Sequence, residues 1–296
     1  MIYDIRHVTR YEYGSTVTFS HCSLRLLPHD EPGQKVLETK LSIDPSPRET
    51  IERACFFGNR VTSLTISTPH RRLTVEAKAT VDIAREPPPE PQTTPLWEAV
   101  RDHAFGSESL SPTSPTHFLF PSRFVPQFNP AADYAAESFL PGRPVLEAAM
   151  DLMHRMRNDF TYDPKATVVS TPLSEAFEKR SGVCQDFAHI MIAGLRGIGL
   201  PAAYVSGYIR TIPPAGKKRL EGADATHAWV TLWCGEDTGY IGLDPTNCLL
   251  VGNDHISLAW GRDYADISPV AGIILGASDQ EIEVKVDVVP REATPK

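Results

Sequence analysis

Ser181-Gly182-Val183-Cys184-Gln185-Asp186-Phe187-Ala188-His189 places one cysteine just after a glycine and at the head of an apolar periodicity. Phe187, Ile190, Met191, Ala193, Gly194, Leu195 and Ile198 recur at steps of three and four, the pattern of a helix with a buried face. Cys184 is therefore expected at a helix N-terminus, where unpaired N–H groups and the positive end of the dipole favour thiolate over thiol. Gly182 is expected to let the backbone turn before the helix, and Gly199-Leu200-Pro201 to end it.

A cysteine alone carries little; a base and an orienting acid must follow. Asp224-Ala225-Thr226-His227-Ala228-Trp229-Val230-Thr231-Leu232-Trp233 alternates as a strand with His227 near its start. Tyr240-Ile241-Gly242-Leu243-Asp244-Pro245-Thr246 reads as the next strand, ending at an aspartate. His227 lies 43 residues past Cys184, and Asp244 a further 17. The second interval suits two antiparallel neighbours joined by Gly235-Glu236-Asp237-Thr238-Gly239, which brings His227 beside Asp244. A helix-borne thiol facing a strand-borne imidazole, itself oriented by a carboxylate, is the nucleophile, base and orienter of acyl-transfer chemistry. Each alone has a plainer reading: a buried helix-start cysteine, a satisfied core histidine, a turn-forming aspartate before proline. Their joint, ordered occurrence favours chemistry.

Gly182-Val183-Cys184-Gln185-Asp186-Phe187-Ala188, Asp224-Ala225-Thr226-His227-Ala228-Trp229 and Asp244-Pro245-Thr246-Asn247 resemble the three signature blocks of the bacterial transglutaminase-like superfamily, in the same order. Residues 200–208, Asp254-His255-Ile256 and residues 261–266 extend the likeness. The N-terminal part is similar to the β-rich region that often precedes this domain in bacteria. The resemblance implies a papain/transglutaminase-like core, a cysteine-bearing helix packed on an antiparallel sheet, within an α+β chain. It implies Cys184 as nucleophile, His227 as general base and Asp244 as orienter, acting through a thioester on a glutamine carboxamide or peptide bond. Peptidase or amidase hydrolysis leads, because the family's bacterial members look more often like hydrolases. Protein-glutamine transglutamination and a non-catalytic binding module on the same fold are the alternatives. The expected partners are a peptide or protein substrate and, for transfer, a small amine. Tyr162 matches a family position near the active site; with Gln185 it is a candidate for the oxyanion hole or cleft. Two departures stand out. Cys55-Phe56-Phe57-Gly58-Asn59 lacks the aspartate that relatives usually carry before Phe-Gly-Asn. Cys248 stands where relatives often have glycine, near enough to Asp244 to alter the turn or to offer Cys184 an oxidation partner.

The rest of the chain frames this site. A length of 296 residues allows one large domain or two moderate ones. A net charge of −8 argues against a nucleic-acid partner, since phosphate binding needs a basic face. The start lacks the basic-then-apolar pattern of a signal peptide, and no run approaches the ~20 apolar residues of a membrane span, so a cytoplasmic protein without membrane contact is expected. Five cysteines without metal-ligand spacing fit a reducing compartment. No Gly-rich phosphate loop or metal cluster is legible, so neither cofactor nor metal is expected; calcium dependence, known in animal relatives, has no acidic loop behind it.

Residues 1–85 read as an N-terminal β-sandwich-like domain, with alternating runs at residues 3–8, 36–43, 61–66 and 73–81 and breaks at Gly14, Pro28, Pro32-Gly33, Pro45 to Pro47, Gly58-Asn59 and Pro69. Pro87-Pro88-Pro89-Glu90-Pro91 opens a connector over residues 86–142, irregular but anchored by Phe118, Phe120, Phe124 and Phe128. Residues 143–296 are read as the catalytic domain, with helices from Pro144 to about Phe160 and from Pro172 to about Arg180. His189, five residues past Cys184, is rotated about 500° around the helix and faces elsewhere. Trp229 shares a strand face with His227 and is a candidate cleft wall or core residue. Asp254 and His255 form a second polar pair, with a loop contact as the plainer reading. Pro213-Pro214-Ala215-Gly216-Lys217-Lys218-Arg219 is a basic insert, either a rim for a carboxylate-bearing substrate or a solvated loop.

Overall fold

The computed structural model describes residues 1–211, 226–276 and 279–291. The basic insert and Asp224-Ala225 lie outside these residues. Six strands come first: β1 (Ile2–Val17), β2 (Phe19–Leu24), β3 (Gln34–Asp44), β4 (Glu49–Ala54), β5 (Arg60–Ile66) and β6 (His70–Ile83). Then follow α1 (Trp97–Gly106), α2 (Asn129–Ala136), α3 (Val145–Asp159), β7 (Thr161–Tyr162), α4 (Leu173–Lys179), β8 (Ser181–Gly182) and α5 (Cys184–Gly197). The chain continues through β9 (Ala202–Ile209), β10 (Thr226–Trp233), β11 (Tyr240–Asp244), β12 (Leu249–Leu250), β13 (His255–Gly261), α6 (Tyr264–Ile267), β14 (Val270–Leu275) and β15 (Gln280–Pro290). Among the described residues no helix is long and apolar enough to cross a membrane.

Two four-stranded antiparallel sheets, β15-β1-β6-β3 and β14-β2-β5-β4, form the expected sandwich. Their edges hold a surprise. The last two strands, which the sequence places in the second domain, pair with β1 and β2 and complete the N-terminal sheets. Gly14 is no break either: β1 runs through it with a shift of register against β6, and the Gly14 N–H donates to the Asp279 carbonyl.

The length of β1 and β6 explains how the halves join. At one end Tyr13, Leu73, Val75 and Ala77 pack against Leu24, Leu64 and Ile66 of the second sheet. At the other, Tyr3, Ile5, Ala79 and Val81, with Val286 and Val288 of β15, cover Tyr208, Ile256 and Leu258 of the central sheet. That central sheet, β12-β11-β10-β9-β13, is antiparallel and carries α5 on its other face, with α2 and α3 beyond. Its edge strand β13 is closed by two carboxamides of the sandwich instead of a further strand. Gln34 bonds both backbone groups of Ser257 at 2.9 Å, and Asn59 bonds those of Trp260 at 2.9 and 2.7 Å. An edge so covered offers nothing to a foreign strand.

The connector is more regular than its composition suggests. It holds α1 and α2, whose N-caps are Leu96 and Phe128, so neither start carries the polar cap that would announce it. Phe118 is fully buried, Phe124 stacks on His189 and Phe128 meets Phe177 edge-on, but Phe120 is 55 % exposed and anchors nothing. Helices α3 and α4 run within a residue of their expected limits, each capped by the proline that precedes it.

Candidate active site

Cys184 is the first residue of α5, entered through the short parallel pair of β7 and β8. Gly182 serves this start differently than expected. It has no positive φ; a side chain there would place its Cβ 2.5 Å from Asp186 Oδ2. That oxygen accepts the Val183 N–H at 2.8 Å and the Thr167 hydroxyl at 2.5 Å, so the glycine makes room for the carboxylate that closes the first turn.

His227 follows Thr226 at the head of β10, and Asp244 ends β11. Val230 pairs with Leu243, so Asp244 lies level with Trp229 and His227 is its diagonal neighbour on the same face. His227 Nε2 lies 2.7 Å from Asp244 Oδ2 and 3.3 Å from Asn247 Nδ2, and the Cys184 thiol is a further hydrogen-bond partner of the imidazole, which leaves Nδ1 for sulfur. The structure thus brings Cys184, His227 and Asp244 together, with the imidazole between thiol and carboxylate.

Electrostatics sharpen the arrangement. Burial alone would lower the His227 pKa, but the hydrogen bonds and charges of Asp244 and Cys184 outweigh it and push the ring up to about 10. Asp244 has no solvent exposure, which would raise its pKa; donors from His227, His255 and Asn247 overcome that and hold the carboxyl below the usual range. Its Oδ1 accepts the Thr246 and Asn247 N–H groups at 3.0 and 3.1 Å, an Asx turn. Its Oδ2 accepts the Asn247 side chain at 2.7 Å and faces His255 Nε2 at 3.3 Å. An aspartate three residues before an asparagine was the signal for Asn247. His255 was visible in sequence as part of the Asp254-His255-Ile256 block, but its partner was not, because Asp244 lies eleven residues away on another strand.

The other candidates separate. Tyr162 is 48 % exposed near Cys184, its hydroxyl pKa raised by partial burial and by the thiol's charge. Gln185 is buried and donates its amide to the Val169 carbonyl at 3.2 Å, holding the 163–171 loop beside the helix start. Trp229 is buried with its ring 6.1 Å from His227 and 5.2 Å from His255, so it backs the imidazoles from inside the core and does not face an open cleft. Gly207 permits this: a Cβ there would stand 2.5 Å from the indole. Asp254 and His255 are not a pair, for Asp254 accepts from the Tyr3 hydroxyl at 2.9 Å while His255 turns inward. His189 faces away from the thiol, accepting the Tyr264 N–H at 3.2 Å. Cys248 adopts φ +58°, the left-handed region that glycine enters more readily than other residues, with its Sγ toward the Met153 carbonyl. His227, Asp244 and His255 offer ligand atoms all within 4.8 Å of one another, a metal-like cluster whose carboxylate is already engaged by five donors.

The bacterial transglutaminase-like N-terminal region matches residues 3–82, and the transglutaminase-like superfamily core matches residues 132–245. An uncharacterized protein of Mycobacterium tuberculosis is 41 % identical over 98 % of this chain and 93 % of its own length. A protein-glutamine gamma-glutamyltransferase of Pseudomonas aeruginosa is 36 % identical over 95 residues, which are 29 % of this chain and 14 % of that protein. In fold, the chain is similar to a proposed cysteine protease from Cytophaga hutchinsonii, with a TM-score of 0.74 and 23 % identity over 100 % of this chain and 93 % of that one. The match to the transglutaminase-like superfamily core supports cysteine-dependent catalysis in general. By sequence, fold and the order of its motifs, the chain belongs to the transglutaminase-like superfamily.

Proposed function

We propose that the protein is a cysteine-dependent acyl-transfer enzyme acting on a glutamine carboxamide or a peptide bond, with hydrolysis as its reaction. The observation that carries this is the succession of hydrogen bonds from the Cys184 thiol through His227 to a fully buried Asp244 at 2.7 Å. The thiolate attacks the carbonyl carbon, and the first N–H groups of α5, including that of Cys184, receive the oxyanion. As the C–N bond breaks, His227 gives its proton to the leaving ammonia or amine, and a thioester remains. Water then attacks, its proton passes to His227, and the acid leaves as the thiolate is restored. Hydrolysis is the reading adopted because water is an acceptor that needs no site of its own. The similarity to the Pseudomonas glutamyltransferase favours a second reading, in which a primary amine resolves the thioester.

The test is mass spectrometry of a glutamine-containing peptide pool incubated with the protein and a primary amine, with Cys184→Ala as the blank. Deamidated or cleaved peptides are expected. Amine-adducted glutamines would establish the second reading, and products equal in the blank would overturn both.

A further inference from the structure

Two imidazoles, not one, address the acid of this site. His255 opens β13, is buried, and sets Nε2 3.3 Å from Asp244 Oδ2, the same oxygen that His227 engages at 2.7 Å. Its other nitrogen decides the tautomer. The Gly252 N–H points at Nδ1 from 3.4 Å, so Nδ1 accepts and the ring proton sits on Nε2, directed at the carboxylate. The indole of Trp229 stands edge-on to this ring at 78° while backing His227, so one side chain spaces both imidazoles.

We propose that His255 is a positioning residue for the Cys184 and His227 pair: as a neutral Nε2–H donor it fixes the Asp244 carboxylate against which His227 is oriented. The proposal rests on the acyl-transfer reading above. The Asx turn holds Oδ1 from one end. At the other, His227 and Asn247 bond Oδ2, but His227 is the group to be oriented and cannot be its own reference, and Asn247 belongs to the same turn that holds Oδ1, so His255 is the donor there that comes from a separate strand. His255, held by Gly252 and walled by Trp229, supplies a fixed donor there. With both nitrogens engaged, it does not exchange protons with the thiol; its part is geometric, as for the outer partners that orient catalytic and metal-binding histidines.

Two replacements separate the donor from the shape. In His255→Asn the amide oxygen reaches the position of Nδ1 and keeps the Gly252 contact, but nothing reaches Asp244. In His255→Gln the longer amide nitrogen reaches the position of Nε2 and restores the donor. The readout is the rate of Cys184 alkylation by iodoacetamide at pH 6, followed on the Cys184 peptide by mass spectrometry, with folding checked by circular dichroism. His255→Asn should react about tenfold more slowly than wild type, the scale on which losing an outer orienting partner acts, and His255→Gln within about threefold of it. Rates in both variants equal to wild type, or an equal loss in both, would overturn the proposal while the nucleophile assignment stands. A wild-type Cys184 no more reactive than a free thiol would remove the acyl-transfer reading and this inference with it.

Discussion

Asp244 illustrates why burial and charge have to be read together. Its carboxylate is removed from water, which on its own would favour the neutral form, yet five donors keep it ionised. His227 is its counterpart. A folded-state pKa raised to about 10, above the ordinary value, means that the folded chain holds this proton more tightly than the unfolded one. That stabilisation is complete below about pH 6.5 and is lost as pH rises through the folded value. Asp244, with its pKa depressed, contributes above about pH 4 and loses that contribution as pH falls. The pair therefore stabilises most between about pH 4 and 6.5. Thermal melts of wild type and Asp244→Asn should differ most in that window, by up to about 3–5 kcal/mol, and converge toward pH 10. A difference independent of pH would contradict this account of the pair.

Helix α5 owes its place to small residues as much as to large ones. Leu195, Ile192 and Phe187 bury its apolar face, but Gly194 and Gly197 let α2 approach its backbone. A Cβ at Gly197 would lie 2.4 Å from Ala132 Cβ, and one at Gly194 would lie 2.9 Å from the Ala131 carbonyl. In an open helix Gly→Ala stabilises by about 1 kcal/mol. Here overpacking, at about 1–3 kcal/mol, outweighs that gain, so Gly197→Ala should lower the melting temperature. Gly106→Ala, at the end of α1 with nothing within 4 Å, should be neutral or slightly stabilising. Equal melting temperatures in the two variants would show that the close approach of α2 is not a constraint. From sequence, α5 was legible by its periodicity, whereas α2 was not: eight residues with a phenylalanine at the cap have neither length nor start signal.

At the scale of the whole molecule, the sheet β15-β1-β6-β3 packs on both the second sandwich sheet and the central sheet. Long strands β1 and β6 contribute to two hydrophobic cores, and the chain returns at β14 and β15 to complete what it began. Unfolding should therefore follow one calorimetric transition. The carboxamide clamps test the joint. Asn59→Ala strips partners from both backbone groups of Trp260, at about 1–3 kcal/mol for each group left unsatisfied. The melt should shift down as a single transition; a split into two would show that the halves fold independently.

From the residues alone came strands β1, β3, β5 and β6 of the sandwich, helices α3 to α5, and the candidate triad, because each is written in local terms: period two, period three to four, and three short motifs in order. Even the approach of His227 to Asp244 was legible, since two strands and a short turn leave one antiparallel register that buries both apolar faces. The packed chain added β2 and β4, placed β14 and β15 in the N-terminal sheets, set Gln34 and Asn59 on the edge of β13, and turned His255 toward Asp244. Those contacts join residues far apart along the chain or on different strands, and nothing local to either partner encodes them; they exist because packing two sheets and a helix layer together leaves buried polar groups that only those side chains reach.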